Sequence, residues 1–434
     1  MNYPTCMNID RSFKVFVNDV EFHAFKTAEV CYIPVQYEEK AKVKIVTNGK
    51  FSNISVSPKR LNIQVKKTAD GFEFELNKNL NLYITLDGFS LPIFFYGDKV
   101  EQYDGKATYY FKGGAIYEVG EIVLRDNESV YIEAGAVVRG CIDALGAKNI
   151  KVYGQGILDG SYYKFYNSEQ DYGKNRLGIC FKKCENIEIK DIIMIEPTIW
   201  MVGLFGCKDV HIDNLKQIGE VISSDGIDIV GCQNVLIENC CLRNNDDCVV
   251  VKHMIGDYGH IVVEEDWLHT PANIRIRSCV FYNAAAGNAM EIGHELRNDI
   301  ISDIVFSDID IVQVAGQGAA FSIHVGDRAT VKDVLFEDIY VEHYYDKLFD
   351  FRIMKSRFNR DKEYGRIQDI TFKNVYITNS QFNPGYSISL IGGHDEQHKA
   401  ENILFENVYI NEDQLLDFKQ IDIYTKFTEN IEFR

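Results

Sequence analysis

Three aspartates in the middle of the chain have the residue type and spacing that acid and base catalysis requires. Asp225 lies in the segment SSDGIDI, and Asp246 and Asp247 follow 21 and 22 residues later in NNDDCVVVK. In a chain that coils with this period, the three carboxylates would stack on successive turns. Adjacent like charges raise one pKa, so one carboxyl can stay protonated while a neighbour is ionised. Asp-Asp and Asp-Gly pairs are also common in turns, so a purely structural role is the simpler interpretation of these residues.

The elements that would position these acids belong to a repeat. Each unit begins with Asn or Asp, continues with alternating apolar and polar residues, and has Asn, Asp or another turn residue in its middle. Alternation predicts half-buried strands, and Asn or Asp predicts turns because these residues tolerate left-handed backbone. The nine copies start 23 to 39 residues apart, at Asn149, Asn186, Asp209, Asn234, Asn273, Asp303, Asp333, Asp369 and Asn402.

Strand–turn–strand units at this spacing predict a solenoid. The predicted fold class is therefore all-β, with a right-handed parallel β-helix whose strands stack about 4.8 Å apart. A β-propeller is the alternative, but its blades would show hairpin turns at a period of roughly 40–50 residues.

The first hundred residues lack this unit. Segments such as FKVFVNDVEFHAF, AKVKIVT and GFEFELN alternate between apolar and polar residues, with Asn-Asp, Asn-Gly and Asp-Gly turn signals between strands. This pattern predicts an N-terminal antiparallel β-sandwich. We therefore expect a sandwich domain over residues 1–108 and a β-helix catalytic domain over residues 109–434.

Composition and charge exclude several classes of partner. The net charge is −18, which disfavours nucleic acid or an anionic membrane as partner because phosphates demand a basic surface. No window of the sequence approaches 18 consecutive apolar residues, so no membrane span is predicted. An exposed flank of the β-helix or the sandwich leaves self-association into a homo-oligomer open.

The cysteines favour buried thiols over disulfides or metal ligands. The count of 11 is odd, no Cys-x-x-Cys pair occurs, and Cys184, Cys207 and Cys232 each lie two residues before a repeat strand. Free thiols and the absence of an apolar leader predict a cytoplasmic location. A trimmed export signal would leave the same sequence, so a secreted mature form remains an alternative.

The central motifs resemble a known family. SSDGIDI followed by NNDDCVVVK resembles the NTDGxDI…GDDCxAxK signature of the polygalacturonases, glycoside hydrolase family 28, and the similarity covers roughly residues 115–410. The resemblance implies that Asp246 is the general acid and that Asp225 and Asp247 activate the attacking water. Such hydrolysis needs no cofactor and no metal.

Two departures from that family bear on the substrate. The family's GHGxSxGS signature is replaced by GNAMEIGHE, so Asn288 stands in place of a histidine and Glu291 in place of a serine. The family's Arg-x-Lys pair, which grips the substrate carboxylate, is missing from the corresponding strand FSIHVGD, where His324 is the nearest polar candidate. A site without that cationic grip should not favour galacturonate.

A second resemblance fits these departures. The chain is similar to the family 49 glycoside hydrolases, dextranases and isopullulanases, which join an N-terminal β-sandwich to a family-28-like β-helix, keep three aspartates and lack the histidine and the Arg-x-Lys pair. This resemblance implies an inverting hydrolase of a neutral α-linked glycan such as dextran or its oligosaccharides. The alternatives are a pectin hydrolase with altered subsites and a carbohydrate-binding β-helix without catalysis. Exo action is favoured, because imported oligosaccharides would be the substrates available to a chain with no visible export signal.

The remaining polar and aromatic residues near the motifs are candidates for binding the sugar. Trp200 could stack on a sugar face, although a core position is the other interpretation of a rare tryptophan. His253 and the pair His394 and His398 are expected at the surface, and the loop spacing of the pair argues against a metal site. The predicted substrate-binding set is Lys252, Asn288, Glu291, His294, His324, Arg352 and Trp200.

Overall fold

The computed structural model describes residues 3–4, 7–379 and 388–434, and this part of the chain is almost entirely β-structure. None of its helices is long and apolar enough to span a membrane. The chain forms two compact units. One comprises Met1–Tyr117, Tyr131–Val138 and Gly154–Ile157, and the other comprises Glu118–Val130, Arg139–Tyr153 and Leu158–Arg434.

The N-terminal unit contains two five-stranded sheets that form the predicted sandwich. Their orders are β2-β1-β5-β8-β7 and β3-β4-β10-β9-β6. Neighbouring strands are antiparallel except β4 and β10, which pair in parallel. Alternate residues of β1, β5 and β9 are buried and form the core between the sheets. The strands are β1 (Phe13–Val17), β2 (Val20–Phe22), β3 (Phe25–Lys26), β4 (Cys31–Tyr37), β5 (Ala41–Thr47), β6 (Ile54–Ser57), β7 (Lys66–Lys67), β8 (Gly71–Leu76), β9 (Leu80–Leu86) and β10 (Ile93–Lys99).

The larger unit is a parallel β-helix, as predicted, and its strands stack in three ladders. The ladder that carries the candidate site is called the site ladder here. It consists of Val137–Leu145, Ile179–Lys182, Val202–Phe205, Ile227–Val230, Val249–His253, Met290–Leu296, Ala319–Val325, Lys347–Ile353, Ser389–Gly392 and Ile423–Lys426.

The second ladder holds the nine repeat starts. It consists of Lys148–Tyr153, Glu185–Lys190, Lys208–Asp213, Gln233–Glu238, Ala272–Arg277, Ile300–Val314, Thr330–Val341, Arg366–Ile377, Ala400–Ile410 and Thr428–Phe433. The third ladder begins with five separate strands. In the later coils it continues in the C-terminal halves of the long second-ladder strands, which begin with Ile300–Val314. Its separate strands are Ile157–Asp159, Ile193–Ile195, Lys216–Ile218, Cys241–Asn244 and Val280–Asn283.

Short elements complete the fold. The first strands of the solenoid sequence are Tyr109–Phe111, Ile116–Leu124 and Ser129–Ile132; a hairpin joins Gly256–Asp257 to Val262–Val263, and Asp413–Gln414 pairs antiparallel with the strand before it. Single 3₁₀ turns occur at Lys59–Leu61, Gly160–Tyr162, Tyr172–Lys174, Glu265–Trp267 and Phe418–Gln420.

The turn residues explain why the repeat takes this shape. All nine predicted unit starts have φ between 54° and 59°, the left-handed conformation that Asn and Asp tolerate. Their side chains also bond from coil to coil: Asn186 Nδ2 donates to Asn149 Oδ1 at 2.8 Å, and Asn234 Nδ2 donates to Asp209 Oδ1 at 2.7 Å. Asn and Asp therefore allow the turn of each coil and also link that turn by a hydrogen bond to the turn of the next coil.

The interior is filled by stacked side chains. Phenylalanines at one repeat position stack with ring centroids 4.9 to 5.2 Å apart, at Phe306, Phe336, Phe372, Phe405 and Phe433. All ten cysteines in the described residues are free, as predicted, and Cys207 N donates to Cys232 Sγ of the next coil at 3.3 Å. Cys6 lies outside the described residues.

Candidate active site

One repeat position supplies the centre of the site. The residue two places before a site-ladder strand is Trp200, Asp225, Asp247 or Asn288 in four successive coils. Backbone hydrogen bonds align these turns, because Gly226 N donates to Asp247 O at 2.7 Å and Cys248 N donates to Asn288 O at 2.9 Å. The pairing of Ile227–Val230 with Val249–His253 thus stacks the acids as their 22-residue spacing predicts.

The three aspartates converge on one point. Each offers a carboxylate oxygen, and these oxygens lie within 4.8 Å of one another. Asp225 and Asp247 are buried, whereas Asp246 is only half-buried. Burial, and then the charge of Asp225, raises the pKa of Asp246 to about 7. Asp246 is therefore the carboxyl of the three that can hold a proton near neutral pH while facing solvent.

Lys252 is the counterion of this cluster. Its Nζ lies 3.2 Å from Asp225 Oδ2 and 2.7 Å from Asp228 Oδ1. Burial lowers the pKa of Lys252, but Asp228 and Asp225 raise it well above the usual value overall. Burial raises the pKa of Asp225 and the Lys252 charge opposes that rise, so the lysine favours the ionised form of Asp225.

Asp228 is a site residue that sequence reasoning missed. It is completely buried in Ile227–Val230 and shares Lys252 with Asp225. An acid between two isoleucines of a strand was the available signal, because such a residue needs a buried cation.

Asn288 connects Asp247 to a second buried acid. The backbone N and side-chain Nδ2 of Asn288 both donate to Asp247 Oδ1, at 2.7 and 3.1 Å. The same Nδ2 lies 2.9 Å from Glu291 Oε2, and Asn288 Oδ1 accepts from Ala319 N at 2.9 Å. The side-chain amide is thus fully used by protein groups.

His324 pairs with Glu291 across the site ladder. His324 Nδ1 lies 3.0 Å from Glu291 Oε1, and Nε2 lies 3.5 Å from Asp350 Oδ1. Burial lowers the pKa of His324, but these two carboxylates outweigh it and raise the pKa to about 9. Burial likewise raises the pKa of Glu291, yet the His324 charge and hydrogen bond lower it overall. The pair is therefore charged on both sides.

His294 and Arg352 complete this wall. The His294 ring stacks on His324 with centroids 4.4 Å apart, and burial, followed by the His324 charge, lowers the pKa of His294 to about 4. Arg352 Nη2 lies 3.2 Å from His324 Nε2, and the guanidinium is also bonded to Asp350. Asp350, buried in the strand Lys347–Ile353, is another site residue that sequence reasoning missed.

These placements revise the predicted substrate-binding set. Asn288, Glu291 and His324 are brought to the acids as predicted, but all three are buried with protein partners. Trp200 is 7 % exposed, and its ring is covered by Phe205, by the edge of His260 and by Lys252 Nζ at 4.1 Å. It occupies the core position rather than offering an open face to a sugar.

The surface expectation for His253 is wrong, because this residue is buried at the end of Val249–His253. Burial lowers its pKa to about 4, so it is held as a neutral ring. His394 is exposed, as expected, whereas His398 is half-buried. Tyr364 stacks on the His394 ring with centroids 3.7 Å apart, and His398 Nδ1 lies 2.8 Å from Asp395 Oδ1.

Two excursions from the solenoid meet beside Trp200 and cover its ring. They are residues 160–178 and residues 254–271, and they meet where a side chain on Gly173 would lie 2.6 Å from Gly259 O. The ring of His260 contacts both Tyr172, at 5.7 Å, and Trp200, at 4.7 Å. The floor residues Phe205 and Val230 are fully buried beneath this cover.

Two groups of side chains have donor atoms close enough to hold a metal ion. They are the three aspartates and the set Glu291, His294 and His324, with donor atoms within 4.8 Å in each. In the second set, Glu291 and His324 form an ion pair with each other. In the first, Asp225 pairs with Lys252 and Asp247 accepts from Asn288. Two members of each group therefore already have protein partners.

The arrangement supports acid and base chemistry at one point. A protonated Asp246 at the mouth can donate, while Asp225 beside Lys252 and Asp247 beside Asn288 can accept a proton from water. Burial raises the pKa of all three carboxyls, so the division of roles rests on exposure and partners: Asp246 is half-buried, whereas Asp225 and Asp247 are buried beside Lys252 and Asn288.

Residues 114–421 match the family described as "Glycosyl hydrolases family 28". Polygalacturonase QRT2 of Arabidopsis thaliana is 20% identical over 273 residues, which is 60% of this chain and 57% of that protein. The chain thus spans little more than half the length of this relative.

Solved structures share the fold. Dex49A from Penicillium minioluteum superposes with a TM-score of 0.68 at 10% identity, covering 100% of this chain and 96% of that one. The family 28 exopolygalacturonase of Yersinia enterocolitica superposes with a TM-score of 0.56 at 14% identity, covering 92% and 94%. At sequence identities this low, the similarity shows a shared fold.

Proposed function

Because the chain belongs to glycosyl hydrolase family 28 and is a glycoside hydrolase, we propose that it cleaves a neutral α-linked glycan with inversion at the anomeric carbon. One observation carries the choice of a neutral sugar: the cations of the site are already neutralised by its own acids. Lys252 pairs with Asp225 and Asp228, His324 with Glu291, and Arg352 with Asp350.

A galacturonate carboxylate would meet no uncompensated cation among these groups. It would instead approach a cleft where acids outnumber the bases, and a buried unpaired charge is costly. A neutral sugar avoids that cost, because its hydroxyls can donate to the carboxylates. The family 49 resemblance of the sequence belongs to this proposal for the same reason.

In the proposed reaction, the glycosidic C–O bond breaks as Asp246 gives its proton to the leaving oxygen. A water molecule forms the new bond to the anomeric carbon from the opposite face. Asp225 and Asp247 position that water, and one of them takes its proton. Water's second hydrogen stays on the new hydroxyl, and proton transfer from base to acid through solvent restores the starting state.

The acid separation makes the stereochemistry a sharp test. Carboxyl oxygens within 4.8 Å are closer than the roughly 6.5–9.5 Å typical of inverting enzymes. Inversion at this separation requires the water to be shared between Asp225 and Asp247 rather than inserted between acid and base. Proton NMR of the first product decides the matter: inversion gives the β-anomer from an α-linkage, and initial α-anomer would refute the mechanism.

The substrate class is tested by turnover. Wild type and Asp246→Asn are assayed on dextran, isomalto-oligosaccharides, other neutral α-linked oligosaccharides and polygalacturonate. We expect release of reducing ends from a neutral glycan by wild type only. Turnover of polygalacturonate alone would establish the second candidate, a pectin hydrolase, which the named polygalacturonase relative favours. Binding without any product would indicate a non-catalytic carbohydrate-binding β-helix.

We also propose exo action, supported by the cover over the Trp200 side of the cleft. The excursions 160–178 and 254–271 meet at His260 and Tyr172, and in this proposal they block the passage of a polymer past Trp200. Short oligosaccharides in the cytoplasm would suit such a pocket. Chromatography of early products from a long glycan distinguishes the modes, since exo action releases one small product and endo action gives a ladder of sizes.

A further inference from the structure

We propose that Glu291 and His324 form a buried charged pair that acts on Asp247 through Asn288, holding this carboxylate in place and setting its strength as a base. Asn288 and Glu291 stand in place of the histidine and serine of the polygalacturonase signature, His324 lies on the strand that lacks the Arg-x-Lys pair, and the sequence suggests all three as sugar contacts. The inference rests on the proposed function, in which Asp247 helps to activate water.

The geometry forms a continuous chain of contacts. Asn288 grips Asp247 Oδ1 with two N–H groups, at 2.7 and 3.1 Å, which fixes the direction of the carboxylate. Its Nδ2 also reaches Glu291 Oε2 at 2.9 Å, so the two acids lie no more than about 6 Å apart through one shared nitrogen. Glu291 Oε1 then meets His324 Nδ1 at 3.0 Å.

Because Glu291 and His324 are buried, this series of contacts positions Asp247 and does not form a sugar subsite. Glu291 is 0% exposed and His324 is 4% exposed, so a sugar cannot reach either side chain without displacing its partner. The half-buried His294 ring stacks on His324 and covers one face of its ring. Asn288 is occupied at both its amide nitrogen and its oxygen.

The charges around each group determine how it responds to substitution. Asp247 faces Glu291, Asp246, Asp225 and Lys252. Glu291 faces His324, His294, Ser322 and Asp247. The groups facing His324 are Glu291, Asp350, Arg352 and the neutral His294. A negative Glu291 strengthens Asp247 as a base, and a positive His324 limits that effect.

The two members of the pair should therefore shift catalysis in opposite directions. Glu291→Gln removes a negative charge near Asp247, which then loses its proton more easily, so the acidic limb of the kcat/KM profile moves down by about one pH unit. His324→Gln leaves the Glu291 charge uncompensated, so the acidic limb moves up by a similar amount. Both variants should lower kcat at least tenfold with KM within about twofold of wild type, because neither side chain touches the sugar.

The controls separate a positioning role from a structural one. Glu291→Asp keeps the charge and should restore the wild-type position of the acidic limb, even if kcat stays reduced. Asn288→Ala should lower kcat without shifting the acidic limb in the opposite directions seen for the pair, because it removes the side-chain donor to Asp247, keeps the backbone donor and leaves the charges of Glu291 and His324. Circular dichroism and the thermal midpoint show whether each variant is folded, and only folded variants are compared.

Specific results would overturn the inference. Shifts of Glu291→Gln and His324→Gln in the same direction, or no shift in either folded variant, would contradict the charge coupling. A rise in KM of tenfold or more with unchanged kcat would indicate that these residues bind the sugar instead. A stoichiometric divalent ion retained by the purified protein, with activity lost to a chelator and restored by that ion, would replace the ion pair by a metal centre. Activity that survives Asp246→Asn would instead refute the proposed function itself.

Discussion

Asp246→Asn is the substitution for which the structure makes two opposed predictions, loss of activity and gain of stability. The amide cannot donate a proton to the leaving oxygen, so kcat should fall by roughly 10²–10⁴-fold. The amide also cannot ionise. The folded-state pKa of Asp246 is about 7 against 3.8 for an ordinary aspartate, so its ionisation in the folded protein is unfavourable.

The sign and size of the stability effect follow from that difference. The stability contributed by a group with a raised folded pKa is fully present below pH 4 and is lost as pH rises through about 7. A full shift corresponds to about 4 kcal/mol, and sharing of the proton with Asp225 and Asp247 reduces it to about 2–4 kcal/mol. Wild type loses this amount above pH 7, whereas Asp246→Asn does not.

The assay is urea unfolding of both proteins at pH 4.5 and pH 8.5, followed by far-ultraviolet circular dichroism, beside kcat measurements. We expect similar midpoints at pH 4.5 and a clearly higher midpoint for Asp246→Asn at pH 8.5. Glu412→Gln is the matched control, because it removes one formal charge from an exposed turn.

An equal difference between Asp246→Asn and wild type at both pH values would refute the reasoning, since the effect would then not be ionisation. Retained activity would show that Asp246 is not the acid. A basic limb of kcat/KM that does not fall through a pH near 7 would contradict its pKa as well.

Three further substitutions test the positioning of the site and the repeat. Lys252→Met leaves Asp225 and Asp228 buried without their cation, so it should destabilise the protein by about 3–5 kcal/mol in urea unfolding and lower kcat, whereas an unchanged unfolding midpoint would contradict the pairing. Gly287→Ala places a methyl group against Asp246 and the backbone of Asp247 at a φ of 63°, so kcat should fall at least tenfold in a folded protein; unchanged kcat would show that the turn adapts. Phe372→Ala empties one level of the interior phenylalanine stack and should cost about 3–5 kcal/mol in urea unfolding with KM unchanged; a loss below 1 kcal/mol would mean that the stack closes over the gap.

The repeat could be predicted because one residue type leaves a mark in every unit. Asn149, Asp303 and the other unit starts need left-handed backbone, and this requirement is visible as Asn or Asp at a fixed place before an alternating strand. The same regularity predicted that Asp225 and Asp247 would stack, since their spacing equals one coil. Periodic features of this kind are local, so a sequence displays them directly.

The contacts around the acids could not be predicted in the same way, because they join coils of unequal length. The pairing of Glu291 with His324, and of His324 with Asp350, depends on the register of three strands and on which face each side chain takes. Trp200 was ambiguous for the same reason. Only the excursion 254–271, which carries His260 back over the indole, decides between core and sugar platform.

The three turns of each coil differ in how much they can vary. The turns after the second ladder are two residues long at 191–192, 214–215 and 239–240, whereas those after the site-ladder strands range from two residues at 183–184, 206–207 and 231–232 to the long excursion 254–271. The third turn also changes length, spanning 196–201, 219–226, 245–248 and 284–289. The aspartates lie at its C-terminal end, directly before the site-ladder strand. A residue inserted early in this turn would lengthen the rim of the cleft and leave the strand registers intact. The solenoid can therefore acquire new substrate preferences through insertions and deletions in these two variable turns, while the short turn after the second ladder keeps the coils in register.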